Sequence, residues 1–85
     1  MSRVKAVVEV LARALADQPG AVEVTEVPDR KATLVEVFAA PGDVGKMIGR
    51  QGRTVSALRT LASLAGETEE KVITLEVRDA PRGNA

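Results

Sequence analysis

The sequence predicts an α+β fold in which helices cover one face of a three-stranded mixed sheet. Three observations indicate it. An apolar stripe at helical spacing opens the chain, three short segments have the composition of strands, and a long helical stretch separates the second strand from the third. The predicted order is helix-strand-strand-helix-helix-strand. With 85 residues, of which 45% are hydrophobic, the chain can form one small folded domain.

The first helix is predicted over residues 3–17. Ser2 is a suitable N-cap. The apolar stripe consists of Val4, Val7, Val8, Leu11, Ala12 and Leu15. The helix is expected to end before Pro19 and Gly20, because proline cannot continue a helix and glycine suits its C-terminal side.

Two strands that form a hairpin are predicted next. Val22 and Val24 alternate with polar residues, while residues 32–39 are rich in β-branched and apolar side chains. The turn signal at residues 28–31 is short, so the two strands are expected to pair antiparallel.

Two further helices are predicted around a glycine turn. The first runs from residue 41 or 42 to Ile48, and the second runs from Arg53 to about Ala65, where Gly66 is expected to end it. The inner face of the second helix consists of Val55, Leu58, Leu61, Ala62 and Ala65.

The last strand is predicted at residues 72–78, with Ile73, Leu75 and Val77 on its buried face. Because two helices connect it to the second strand, these two strands are expected to be parallel neighbours. We expect a single domain over residues 1–78 and a mobile tail over residues 79–85, which has little apolar content to bury.

The composition argues against an enzyme and against a metal or cofactor site. The chain has no Cys, so it has no thiolate to bind a metal. It also has no His, which is the commonest metal ligand and the commonest general base. No apolar run approaches the ~18 residues that span a bilayer, and no signal-peptide pattern opens the chain. We therefore expect a soluble cytoplasmic protein without catalytic activity or cofactor.

The glycine turn is the stretch most informative about function. Gly49 and Gly52 bracket Arg50 and Gln51, and residues 44–66 contain no Asp or Glu, although the chain has 12 of them. Glycine lets the backbone approach a ligand closely, and the N–H groups at the start of a helix favour an anion. The turn is therefore interpreted as a clamp for a phosphate backbone.

Charge and aromatic content restrict how a nucleic acid could bind. The net charge is zero, so attraction depends on local cations, and Lys46, Arg50 and Arg53 surround the turn. Phe38 is the only aromatic residue. Bases would therefore lie against aliphatic side chains and not on a row of aromatic rings.

The residues from Ile48 to Val55 resemble the I-G-x-x-G-x-x-[I/V] core of KH domains, and the element order resembles that of the type II, prokaryotic KH topology. Residues 40–54 and the last strand are more similar still to the KhpA family. These are small bacterial RNA-binding proteins with a single KH domain, described as RNA chaperones. The resemblance covers nearly the whole chain, with the KH core at about residues 32–78.

The resemblance implies a binding site for single-stranded RNA. Gly49 and Gly52 would admit the RNA backbone, and Arg50 and Gln51 would contact its phosphates or sugars. Ile48 and Val55, with Val44 and Gly45 nearby, would form an apolar floor on which bases lie. Lys46 and Arg53 would flank the RNA as cations. The second strand would supply the far wall, where backbone groups read base edges. The family is also associated with homodimers and with a larger KH-containing partner protein, KhpB.

Three other functions fit part of the motif. A helix-hairpin-helix DNA binder also presents amides at a glycine turn, but it usually carries G-x-G and needs no sheet. A nucleotide-binding P-loop requires G-x-x-x-x-G-K-[S/T], whereas Met47 follows Lys46 here. A protein–protein assembly module with a KH fold and an idle groove remains open.

Some residues near the turn have a second interpretation. Ile48 and Val55 belong either to the core or to a binding groove. Leu58 is assigned to the core, and Arg59 is expected to be a solvated surface charge.

Overall fold

The computed structural model of the chain describes residues 2–29 and 32–80, with the backbone alone described at Arg50 and Gln51. Its elements are helix α1 (Arg3–Leu15), a 3-10 helix (Pro19–Ala21), strands β1 (Glu23–Pro28) and β2 (Ala32–Ala39), helix α2 (Pro41–Glu67) and strand β3 (Val72–Asp79). The predicted α+β fold with a three-stranded mixed sheet is confirmed. Within the described ranges, no helix is long and apolar enough to cross a membrane.

Strand β2 is the centre of the sheet, which has the order β1-β2-β3. β1 pairs with β2 antiparallel, and β3 pairs with it parallel, so that Leu75 lies opposite Val35. The Asp29 N–H donates to the Ala32 carbonyl oxygen at 2.8 Å and closes the hairpin. Residues 30 and 31 of the predicted turn lie outside the described residues. Both predicted pairings are confirmed.

The core lies between the helices and one face of the sheet. Side chains along β2 alternate between buried and half-buried, as the two-residue period of a strand requires. The most deeply buried residues are Val4, Val8 and Ala12 of α1, Val22 before β1, Val35, Val37 and Ala39 of β2, Met47, Leu58 and Ala62 of α2, and Leu75 of β3. The assignment of Leu58 to the core is therefore confirmed.

Helix α1 begins where the sequence predicts and ends slightly earlier. The Lys5 N–H donates to Ser2 Oγ at 3.0 Å, which confirms Ser2 as the N-cap. The helix ends at Leu15, because Ala16 is already extended (φ −83°, ψ 144°). Pro19 then opens the 3-10 helix that leads into β1.

Helix α2 contains no intervening loop, although two helices and a glycine turn were predicted there. Gly52 marks the place of the predicted turn. Its φ of +67° lies in the left-handed region, which glycine adopts without steric cost. A single left-handed residue thus stands where a loop was predicted.

Gly66 lies in the last turn of α2, which continues to Glu67. The stop predicted at Gly66 is therefore early, and the residue has a different role. A Cβ at this position would lie 2.5 Å from Ile73 Cγ1 and 2.9 Å from the Lys71 carbonyl oxygen. Glycine is thus required because the start of β3 passes directly against the helix.

Strand β3 extends through Asp79, and the Ala80 N–H donates to the Ala39 carbonyl oxygen at 2.7 Å. The sheet therefore continues slightly beyond residue 78, at which the domain was predicted to end. The remainder of the predicted tail, residues 81–85, lies outside the described residues.

A buried carboxylate joins the end of α1 to the start of α2. Asp43, 3% exposed, accepts hydrogen bonds from the Asp17 N–H at 2.9 Å and the Gln18 N–H at 3.0 Å. These two bonds, helped by the Lys46 charge and opposed by burial, hold the pKa of the Asp43 carboxyl below its usual value. The contact positions the start of α2, and with it the approach to the glycine turn.

Asp43 makes the stability of the fold depend on pH in acid. Because its pKa is lower in the folded chain than in the unfolded chain, its contribution is complete above about pH 4. The contribution is lost as the pH falls through the lowered pKa. We expect Asp43→Asn to lower the Tm at neutral pH, and we expect the difference from wild type to shrink as the solution is acidified below about pH 4.

Thermal denaturation followed by circular dichroism at successive pH values measures this difference. Asp17→Asn is the matched control, since that side chain lies at the same junction between α1 and α2 but is 76% exposed, and its effect on the Tm should be small. A Tm difference for Asp43→Asn that stays constant down to about pH 2 would contradict the assignment.

Candidate nucleic-acid interface

A groove runs between helix α2 and strand β3, at the free edge of the sheet. Because β2 is central, β3 pairs with a strand on one side only within the described ranges, and the groove lies along its other side. The groove encloses about 500 Å³. Its described lining consists of Ile48, Gly52, Val55, Ser56 and Arg59 from α2 and Glu76, Val77 and Arg78 from β3.

Ile48 and Val55 form the apolar floor of the groove. Val55 is 6% exposed and belongs to the core. It also lines the groove, so its position is compatible with a core role and with a groove role. Ile48 is 53% exposed. A half-exposed isoleucine in a groove offers apolar area that a flat ligand can cover, and covering it is favourable.

Gly52 lines the groove, Gly49 follows the groove-lining Ile48 in the chain, and there is open space around both glycines. No described atom lies within 4 Å of a Cβ built at either position. At Gly52 the left-handed backbone (φ +67°) is itself a reason for glycine. At Gly49 the described part of the protein gives no packing reason, so the space is available to a bound molecule. Gly45 is exposed and equally open.

The two flanking cations have different surroundings. Lys46 Nζ lies 2.9 Å from Asp17 Oδ2 and 4.0 Å from Asp43 Oδ1, at the end of α1 and not among the groove-lining residues. Arg53 directly follows Gly52, is exposed, and has no ion-pair partner in the part of the chain that the structure describes. Arg53 is therefore the flanking cation whose charge is not already paired.

Arg50 and Gln51 are predicted to contact phosphates or sugars. Their side chains lie outside the described part of the structure. Their backbone belongs to α2, between the two open glycines. Their role in binding stays a prediction.

The far wall of the groove is β3, and the assignment of this wall to the second strand is wrong. β2 forms hydrogen bonds to a strand on each side, so it has no free edge at which a ligand could read its backbone. The predicted pairings contained the signal that was missed. A strand that is antiparallel to one neighbour and parallel to another is necessarily the central one.

Arg59 lines the groove and is not simply a solvated charge. Its Nε–H donates to the Leu75 carbonyl oxygen at 3.2 Å, which joins α2 to the outer edge of β3. Sequence reasoning missed this contact because its two partners are brought together only by the packing of α2 on the sheet. Arg59 lies four residues after Val55, and therefore on the same face of the helix. This spacing is the only local feature of the sequence that indicates a position in the groove.

Arg78 is a groove-lining cation whose charge is already paired. Its Nε lies 3.2 Å from Glu36 Oε2, and its guanidinium also donates to the Glu76 carboxylate. The hydrogen bond to Glu76 raises the pKa of Arg78 above its usual value. Arg78 therefore contributes little net positive charge to the groove.

The described residues contain no group of three or more Cys, His, Asp or Glu side chains arranged to hold a metal ion. The groove itself is lined by apolar side chains, two arginines, Glu76, Ser56 and Gly52.

A parallel β2–β3 pair around a helical crossover, with an apolar groove beside the G-x-x-G segment of the helix, is typical of the class of type II KH domains. Residues 5–77 match the family model described as KhpA/KhpB, KH domain. The chain belongs to this family.

Relatives that are named RNA-binding protein KhpA are similar over most of the chain. The protein of Caldanaerobacter subterraneus subsp. tengcongensis is 43% identical over 70 residues, which cover 82% of this chain and 93% of the relative. The Aquifex aeolicus protein is 39% identical over 77 residues, 91% of this chain and 98% of the relative. The Mycobacterium tuberculosis protein is 48% identical over 59 residues, 69% of this chain and 74% of the relative. No solved structure matches the chain significantly.

Proposed function

We propose that the protein is a non-catalytic, cytoplasmic RNA-binding protein and RNA chaperone that clamps single-stranded RNA with the turn at residues 49–52. The observation that carries the proposal is the α2–β3 groove, whose apolar floor opens beside two glycines with free space around them. The name of the relatives, RNA-binding protein, supports the choice of ligand.

The sugar–phosphate backbone would pass over Gly49 and Gly52, where no Cβ keeps it away. Arg50 and Gln51 would contact phosphates or sugars, and Arg53, which has no ion-pair partner among the described residues, would add positive charge. The absence of Asp and Glu from residues 44–66 means that no carboxylate of this stretch repels the strand.

Gly45 and Lys46 would flank the RNA on the N-terminal side of the turn. Gly45 leaves open space there. Lys46 would have to exchange its ion pair with Asp17 for a phosphate. Because that pair is exposed, with side chains 55% and 76% accessible, the exchange costs little.

The bases would lie on Ile48 and Val55 and present their edges to β3. The Leu75 carbonyl points away from β2, since it accepts the Arg59 N–H. Peptide groups alternate in direction along a strand, so the N–H and C=O of Val77 point to the same free edge. They would offer one donor and one acceptor to a base.

The proposal predicts modest, salt-dependent affinity. Three or four phosphate contacts give a slope of log K against log salt of about −2 to −3, because a single strand contributes roughly −0.7 for each neutralised phosphate. Fluorescence anisotropy of a labelled mixed-sequence RNA over a range of salt concentrations measures the slope. Absence of binding, or binding that does not respond to salt, would exclude the backbone clamp.

We also propose that the chain works with a second RNA-binding subunit, either another copy of itself or a larger KhpB-like protein. The family description that pairs KhpA with KhpB supports such an association. So does the apolar surface of α1 and α2, where Val10, Leu61 and Leu64 are 68%, 40% and 53% exposed. A second subunit would raise a modest affinity through effective concentration.

The same apolar surface favours a second candidate function, a protein–protein assembly module whose groove is idle. The salt titration separates the two candidates, because an assembly module would leave the anisotropy of the RNA unchanged at every salt concentration.

A further inference from the structure

Arg59 lies at the end of the groove that is far from the glycine turn. It is seven residues beyond Gly52 along α2, which at 1.5 Å per residue is a distance of about 10 Å. Its Nε–H is held by the Leu75 carbonyl oxygen at 3.2 Å, while the side chain as a whole is exposed. The guanidinium is thus fixed in position and still accessible from the groove.

The hydrogen bond at Nε determines which donors Arg59 has left. A guanidinium carries five N–H groups in a rigid planar fork. With Nε bonded to Leu75, the terminal nitrogens Nη1 and Nη2 remain and offer two parallel donors. Arg59 has no carboxylate partner among the described residues, whereas the other groove-lining arginine, Arg78, is paired with Glu36 and Glu76.

Two parallel donors discriminate among the four bases. Guanine presents O6 and N7 as neighbouring acceptors, and cytosine presents O2 and N3 in the same way. On uracil the N3–H donor separates the two oxygens, and on adenine the amino group separates N1 from N7. A fixed pair of donors can therefore be satisfied by guanine or cytosine and not by adenine or uracil.

We propose that Arg59 is a specificity-determining residue that reads a base edge with two adjacent acceptors at this end of the groove. The inference rests on the proposed RNA-binding function and names one determinant of its sequence preference. A good bidentate contact is worth about fivefold or more in affinity between a matching and a non-matching base.

The test compares labelled octamers of uridine, adenosine, cytidine and alternating guanosine–uridine by fluorescence anisotropy. Wild type should bind the cytidine octamer or the guanosine–uridine octamer about fivefold or more tightly than the uridine and adenosine octamers. The octamer that is preferred identifies the base. Arg59→Lys, which keeps the charge but lacks the fork, should bind all four alike and should bind the uridine octamer within about twofold of wild type.

Arg59→Gln should also lose the preference, and Arg13→Gln on α1 controls for the lost charge, since the Arg13 side chain is exposed and far along the chain from the groove. A purely structural role for Arg59 predicts a lower Tm for Arg59→Gln with the preference unchanged, and that result would overturn the proposal. Equal binding of all four octamers by wild type would overturn it too, while leaving the RNA-binding function intact. If wild type binds none of them, both fail.

Discussion

The variant Arg50→Asp/Gln51→Asp is expected to bind single-stranded RNA at least about tenfold more weakly than wild type while keeping its fold. Each new carboxylate within about 4 Å of a phosphate costs about 1 kcal/mol in water, and the arginine contact is lost as well. A loss of about 1.4 kcal/mol already corresponds to tenfold. The fold should survive because Gly49 and Gly52, including the left-handed backbone at Gly52, are unchanged. Anisotropy at moderate salt measures the affinity, and circular dichroism confirms the fold.

The matched control for this variant is Arg3→Asp/Ala14→Asp, which changes the net charge by the same amount at two exposed positions of α1. It should bind RNA nearly as well as wild type at moderate salt, because exposed charges far from the ligand are screened. If the two double variants lose affinity equally, net charge and not the turn governs binding.

Replacing Ile48 by aspartate is expected to reduce RNA binding by roughly tenfold or more. Covering a half-exposed isoleucine with a base is worth about 1 kcal/mol, and a carboxylate at the same place adds repulsion of similar size from a nearby phosphate. Since Ile48 is 53% exposed, the substitution should cost little folding stability. Anisotropy with a short RNA that occupies one groove gives the affinity, and urea denaturation gives the free energy of unfolding.

Leu64 supplies a closely matched control, because it lies on the same helix and is also 53% exposed but does not line the groove. Leu64→Asp should change stability as little as Ile48→Asp does and should leave binding of the short RNA unchanged. Equal binding by Ile48→Asp and Leu64→Asp would show that the RNA does not contact the apolar floor of the groove.

The fold could be predicted from local pattern alone because each element has its own period. Residues Ala32–Ala39 were assigned to a strand with the same bounds that the structure has, and Ser2 was identified as the cap of α1. The burial of Leu58 followed from helical spacing. The hairpin and the crossover then fixed both pairings, since short turns favour antiparallel pairs and long crossovers favour parallel ones.

The residues that local pattern could not place depend on contacts between distant parts of the chain. Nothing in the local sequence pattern predicts that the Asp43 carboxylate accepts hydrogen bonds from the N–H groups of Asp17 and Gln18. Arg59 was read as a surface charge, but it bonds to Leu75. Such contacts depend on how elements pack, and periodicity determines only which face of an element is buried.

Contact between RNA and the α2–β3 groove is tested by titrating the ¹⁵N-labelled protein with a short single-stranded RNA and following the backbone amides by NMR. We expect the largest shifts at Gly49, Gly52, Val55 and Val77, with little change at Val10 of the α1–α2 surface. Shifts concentrated on that surface, with the α2–β3 groove unchanged, would contradict it and place the RNA elsewhere.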